Sequence, residues 1–562
     1  MHCNHCQQPF ETSPADRSFY TKMTQTVGEK EFVLTAPTLC VDCRRQRRLA
    51  FRNERNLYNR ECSLCHKNIV SIYSADKTKT VYCPDCYWSD NWNPFDYGRD
   101  FDFSQPFFPQ FQKLFDEVPA LSLILDKNEN SAYNNSCAEL KNCYLCFDGG
   151  FAQDCLYGET FDYLKDCIDF LFLQHCELCY QCVNCFHCYE LFYSRFCENC
   201  SNSYYLMDCT GCKHCFGCVN LVQKEYCWFN EQLTKTAYEQ KLASFNRGSF
   251  QAHAEIVNRV RAFWSAAPKR ASRGTMNEES TGDNIFSCHR SFDNFDCKDL
   301  QDCNHCQQVI LPAQDCHDLD KWGGNTELVY NSSGVGSGAQ CIIASYYTAF
   351  NANAIYHSAY CWFGSSNLLG CVGMNRHKQY CILNKQYTKE DYATLAAQII
   401  EHMQKTGEWG QFFPPQISAF GYNESVAQEY YPLTKEQALA QGFKWSDYQT
   451  PAPTATMVIE SKDLPDDIAT VTDDILTQAI QCPISKKLFV ITKTELAFYR
   501  DHHIPLPRHH PNQRNQELKA EKNPRKLWHR NCVQCNKEID TAYSTDRIEK
   551  VLCENCYTQA VI

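Results

Sequence analysis

The sequence predicts a mainly β protein: zinc ribbons at both ends flank two cysteine-rich β-solenoid (β-helix-like) blocks, each followed by capping helices. Three observations predict it. Paired CxxC knuckles at ribbon spacing occur near both ends. Seventeen cysteines between 137 and 227 all fall in one phase of three. Two long blocks close on the same phrase, G-C-V, Tyr-Cys, Asn, Thr-Lys, at 217–235 and 370–389.

Of 562 residues, 39 are cysteine. The chain opens Met1-His2-Cys3 with no basic stretch leading into an apolar one. No window reaches the roughly 18 apolar residues of a membrane span. These features point to reduced thiols in a cytoplasm and to no membrane association. The net charge of −12 is uneven. Residues 1–60 carry 10 basic and 6 acidic side chains, and 482–562 carry 14 and 9. Basic ends on an acidic body would meet a polyanion first.

The clearest ribbon is Cys62-x2-Cys65-x17-Cys83-x2-Cys86, and Cys532-x2-Cys535-x17-Cys553-x2-Cys556 repeats its spacing. Such knuckles converge four thiolates into the tetrahedron that zinc favours. The copies share Lys67/Lys537, Ile69/Ile539, Tyr73/Tyr543, Ser74/Ser544, Asp76/Asp546 and Val81/Val551. Cys3, Cys6, Cys40 and Cys43 form a third set, whose wide gap calls for a long hairpin or an inserted loop. About three Zn2+ per chain follow. An offset of 470 aligns Cys40 with His510 and Cys43 with Gln513, and the upstream knuckle survives only as Cys482-Pro-Ile-Ser485. Residues 482–515 should keep the ribbon shape without its metal, with His502, His503, His509 and His510 as solvated loop side chains.

A basic stretch follows the first ribbon: Arg44, Arg45, Arg47, Arg48, Arg52, Arg55 and Arg60. Guanidinium groups beside a ribbon can grip phosphates, so this stretch is the candidate nucleic-acid contact. A solvated helix face is the plainer reading. The copy at 514–530 is basic too.

In the first block, Cys155, Cys176, Cys197 and Cys218 are 21 apart, as are Cys146, Cys167, Cys188 and Cys209. Neither helix nor straight strand has a period of three. Coils of 21 residues with inward thiol ladders are therefore expected, with Asn142, Asp154, Asp166, Asn184, Asn199 and Asp208 as turn formers beside the thiols. Iron–sulfur ligation is disfavoured because the run lacks the ferredoxin spacing and Leu191 and Leu206 share the phase. Phe161 and Phe170 share it too, while the other 16 aromatics should point outward, to a partner or beneath flanking segments. The second block drifts. Its Gly334–Gly338 segment lacks the helix and Lys-Ser/Thr of a phosphate loop.

The resulting organisation is ribbon with basic helix (1–60), second ribbon (61–92), first block (93–230), helical cap and linker (231–283) and second block (284–387). A capping helix with an irregular aromatic segment (388–450), an acidic linker (451–480), a degenerate ribbon (481–530) and a last ribbon (531–562) complete it.

The phrases TLCVDCRRQRRLAFRNER, DFSQPFFPQFQKLFDEVP, FGCVNL, LNKQYTKEDY and GEWGQFFPPQISAFGYNES span most of the chain. In them it resembles the uncharacterised cysteine-rich zinc-ribbon proteins of candidate-phyla (patescibacterial) bacteria. The resemblance implies little chemistry, since no activity is established for that set. Relatives with four cysteines across 482–513 should bind an additional zinc.

No catalytic motif emerges. The expected function is a non-catalytic zinc-binding scaffold whose solenoid surface meets a protein or polymer partner. The alternative is a nucleic-acid- or ribosome-associated protein using Arg44–Arg60. An enzyme of the β-helix sugar-chain type would need a carboxylate pair on one ladder, and Asp148, Asp169 and Glu190 at 21-residue spacing are the acids to inspect. Thiol storage or redox buffering would need accessible thiols, which the inward phase argues against.

Overall fold

A computed structural model describes residues 1–561. Strand accounts for 32% of residues and helix for 24%, so the mainly-β expectation holds only in part. The excess helix lies in the segments that flank two stacks of short parallel strands.

In the first stack the coil length is 12 residues, not 21. Leu156 pairs with Ile168, Phe161 with Leu173 and Tyr189 with Ser201, all in parallel register. Every third residue from Ser136 to Tyr205 has a φ between 49° and 61°. Each such left-handed residue turns the chain, so four three-residue sides make one coil. The expected turn formers Asn142, Asp154, Asp166, Asn184, Asn199 and Asp208 all lie at these corners. Leu, Phe and Tyr occupy others, a conformation that persists because the stacked ladder over-determines it. The 21-residue repeat is seven sides, so residues 21 apart fall on different faces.

The period of three also explains why cysteine suits the inward position. Of each triplet, two N–H groups bond to neighbouring coils, as Tyr144 does to Cys155 and Tyr157 does to Tyr144. The inward residue's N–H needs a side-chain acceptor from the coil below. Cys188 donates to Cys176 Sγ at 3.4 Å, Leu206 to Ser194 Oγ at 3.0 Å and Cys146 to Asn134 Oδ1 at 2.7 Å. The same thiol donates onward, Cys176 Sγ to the Cys185 carbonyl at 3.3 Å. A small side chain that both accepts and donates therefore satisfies a buried backbone group. Phe161 and Phe170 are inward as expected. Gly158 leaves room for Phe170, since a Cβ there would lie 1.9 Å from its ring.

Cys176→Ala should cost about 1–3 kcal/mol by leaving the Cys188 N–H unpaired, and Cys176→Ser less. Thermal unfolding of both variants checks this. A serine variant less stable than the alanine one would contradict the acceptor role.

The second stack begins with the same 12-residue register, Gly282 opposite Asn294, and then lengthens to 13, Glu327 opposite Gln340 and Asn353 opposite Ser366. One side per coil gains a residue, and its corner has two left-handed residues: Ser337-Gly338, Phe350-Asn351, Phe363-Gly364 and Arg376-His377. This is the physical source of the drift in the second block. Gly334–Gly338 is coil wall.

Both stacks end in a short hairpin and a threonine-capped helix, Lys235–Ser244 and Lys389–Thr406. The second helix does not plug the open end. Ile399, Ile400 and Met403 lie along the outer row Tyr330, Ile343, Tyr356, Leu369 and Ile382. Phe95 is the residue that packs against the inner core of that stack. The helix Phe107–Glu117 joins the same outer face, with its first N–H groups bonded to the Glu408 carboxylate at 2.9 and 2.8 Å. On the first stack, the helix Phe250–Ala266 and residues 464–506 cover the row Leu156, Ile168, Tyr180, Phe192, Tyr204 and Phe216. Most outward aromatics thus lie beneath this chain's own flanks.

Candidate metal centres and the charge network around them

Three tetracysteine groups form. Cys3, Cys6, Cys40 and Cys43 gather at the first, Cys62, Cys65, Cys83 and Cys86 at the second, and Cys532, Cys535, Cys553 and Cys556 at the third. Within each, the four sulfurs lie within 4.8 Å of one another. Pairs stand at 3.7 Å (Cys6–Cys40), 3.9 Å (Cys65–Cys83) and 3.7 Å (Cys535–Cys553). A tetrahedron with 2.3 Å metal–sulfur bonds has edges of about 3.8 Å, so the sets fit a tetrahedral thiophilic ion.

Local backbone explains each set. Cys62 donates to the Lys67 carbonyl and accepts from His66 N–H, with His66 at φ 59°. Cys532, Lys537 and Asn536 repeat this, and so do Cys482, Lys487 and Lys486. The degenerate ribbon thus keeps its knuckle turn, and His510 caps the helix Pro511–Ala520 where Cys40 begins Val41–Leu49. Among the described residues no metal-sized ligand group includes Cys482. His509 pairs with Glu517 at 2.6 Å. Burial raises the Cys62 thiol, but the Cys65 and Cys83 N–H groups outweigh it and bring it down to about 6, toward thiolate.

The gap between Cys6 and Cys40 holds a helix, Pro14–Lys22, and a hairpin, Gln25–Val27 with Lys30–Phe32. These dock on the second stack, where Phe19 stacks on His317 at 3.7 Å. The second ribbon joins the first stack through Val81–Tyr82 beside Ala120–Leu121. The last ribbon joins the second stack through Val551–Leu552 beside Lys269–Arg270. The offset of 470 therefore holds in space. Arg60 donates to the Ser74 and Lys79 carbonyls, and Arg530 to those of Ser544 and Glu549.

The arginine stretch corrects the expectation of a phosphate-binding face. Arg44, Arg45, Arg48 and Arg52 are buried, because the acidic body folds over them. Arg44 pairs with Asp318 at 2.8 Å, and Arg48 with Asp318 at 3.2 Å and Asp320 at 2.5 Å. Arg45 faces Asp42 and Asp293. Arg52 bridges Glu54 and Asp148, while Arg55 reaches Glu159 at 3.4 Å. Arg47 is partly exposed and pairs with no carboxylate among the described residues. The C-terminal basic stretch behaves alike: Arg514 pairs with Asp169, Lys519 with Glu159, and Lys522 and Arg525 with Asp296.

Ribbon helices thus cross over, the first docking on the second stack and the degenerate one on the first. Asp148 and Asp169 are consumed in these pairs, and residues 21 apart lie on different faces of a 12-residue coil, so these two and Glu190 form no row. Sequence reasoning missed the acids Asp296, Asp318, Asp320 and Glu159. For Asp296 the signal was the aspartate run Asp293, Asp296, Asp299, Asp302 at the corner period, which Asp315 and Asp318 resume.

Burial opposes ionised Asp318 and cationic Arg44 and Arg48 outweigh it, holding its carboxyl well below the usual range. Asp296, burial again opposed by Lys522 and Arg525, falls to about 2. His305 is raised to about 9, because bonds to Asp16 and Asp293 outweigh burial. The depressed acids stabilise the fold above the ordinary carboxylate value near 4 and lose that effect as pH falls toward 2. The raised histidine stabilises fully below its ordinary value near 6.5 and loses its effect as pH rises through 9. These groups therefore withdraw stability below about pH 5, through the acids, and above about pH 6.5, through His305. His305→Gln should flatten the alkaline arm of melting temperature against pH, and an unchanged arm would refute the assignment.

No family model matches the chain, and no curated protein does. Among solved structures, a candidate acetyltransferase from Desulfovibrio desulfuricans G20 aligns with 45% of this chain and 65% of its own, at 8% identity and a TM-score of 0.11. The aligned region thus spans under two thirds of that structure, and a score this low carries no argument about fold or activity. No described helix is long and apolar enough to cross a membrane.

Proposed function

We propose that the protein is a non-catalytic, zinc-braced scaffold whose two coiled stacks are duplicated solenoid blocks presenting a surface to a protein or polymer partner. The observation that carries this reading is the inward direction of its reactive groups. Four thiols per set leave a metal no open position for substrate water. The buried arginines bind the chain to itself. What faces outward is a row of corner rings on the first stack, Phe151, Tyr163, His175 and His187, one per coil. Phe151 is 43% exposed and Tyr163 50%, a patch with no cover from the flanks.

The test places a photo-crosslinking residue at Tyr163 in the full chain, in cells that make it. A discrete adduct that Phe151→Ser abolishes supports the reading. Adducts unaffected by Phe151→Ser, or none, sink it. Co-purifying RNA released by salt would instead favour a nucleic-acid role.

A further inference from the structure

A cavity of about 310 Å³ opens between the first stack, the helix Phe250–Ala266 and residues 505–521. It belongs to neither the metal centres nor the exposed ring row. Its volume falls at the lower end of what small-molecule sites occupy. Tyr193, Tyr205 and Phe250 give it flat apolar walls.

One polar group of the wall lacks a counter-charge. Arg195 is more than nine-tenths buried and lines the cavity. Its guanidinium bonds only to the Gln181 and Ser194 carbonyls, its Nε has no partner, and it pairs with no carboxylate among the described residues. Arg514, in the same wall, is already paired with Asp169 and Glu495. The acids of the wall are already used, Glu517 by His509 and Glu521 by Arg261, both at 2.6 Å. A buried guanidinium without a counter-ion is costly. What the cavity lacks is acceptor atoms bearing negative charge.

We propose that this cavity is a binding site for a small organic anion with a flat apolar body, its carboxylate or phosphate meeting Arg195 and its body lying among the tyrosines. Neutral His253 fits that role: burial pushes its ring down to about 4, and Nδ1 meets the Tyr205 hydroxyl at 2.8 Å. It adds a polar wall without a competing charge.

Calorimetric titration of the full, metal-loaded chain tests the site with four probes: phenyl phosphate, benzoate, inorganic phosphate and benzyl alcohol. One molar equivalent of phenyl phosphate or benzoate should bind, and whichever binds more tightly identifies the anionic group. Benzyl alcohol and inorganic phosphate should each bind about tenfold more weakly, lacking the charge or the body. Arg195→Gln should weaken the better probe about tenfold or more with an unchanged melting temperature. Should that variant fail to fold, Arg195→Lys, which keeps the charge and loses the planar fork, should weaken it severalfold. Arg290→Gln, an exposed residue of the second stack, should change nothing. No heat from either aromatic anion at about 10 mM, affinity indifferent to the Arg195 substitution, or equal binding of benzyl alcohol would overturn the proposal by leaving ordered water beside Arg195.

Discussion

Cys62→Ser is expected to lower the bound metal from three ions per chain to two and to unfold the second ribbon. A structural zinc contributes on the order of 10 kcal/mol to folding such a module, far more than any single contact in it. The loss should spread to one other place. Val81–Tyr82 pairs with Ala120–Leu121, where the chain enters the first stack. Hydrogen exchange should therefore rise over 58–92 and 120–124 and stay low over 137–227. Cys535→Ser should do the same at the other end, loosening Lys269–Arg270. Native mass spectrometry with elemental analysis reads the count and the element. Three zinc ions that fall to two would bear the reading out. Iron with sulfide, or an unchanged count in the variant, would make the central thiols ligands and overturn the account of the inward cysteines.

Arg48→Met should destabilise the chain by about 3–5 kcal/mol, the cost of leaving buried carboxylates without their cation. Arg48 is fully buried, with Asp318 and Asp320 on one side and Asn331 Oδ1 at 2.9 Å. Arg290→Met is the reference. Its pair with Asp302 is as short, 2.7 Å, but 44% and 31% exposed, and it should cost less than about 1 kcal/mol. Denaturant titration of both variants decides. Equal costs would mean that the network is wet and that the arginine stretch remains open to a polyanion.

Legibility differed by the range of the interaction. A CxxC knuckle is a local object: six residues close on themselves with one left-handed residue, so all three tetracysteine sets and the decayed knuckle at Cys482 could be read from spacing. The inward phase was legible for the same reason, since every third residue turns the chain. Coil length was not. A 21-residue repeat and a 12-residue coil are both multiples of three, and sequence identity followed the former while hydrogen bonding followed the latter. The arginines misled because a run such as Arg44–Arg55 looks the same whether water or Asp318 lies opposite.

The sequence by itself determined the tetracysteine sets and the corner period, because each depends on residues close in the chain. Tertiary structure alone decided which stack each ribbon helix lies on, that Arg44, Arg48, Arg52 and Arg514 are buried against acids of the body, and that Arg195 pairs with no carboxylate among the described residues. Burial and pairing are properties of what packs opposite, and the partners, Arg48 with Asp320 or Arg514 with Asp169, lie hundreds of residues apart.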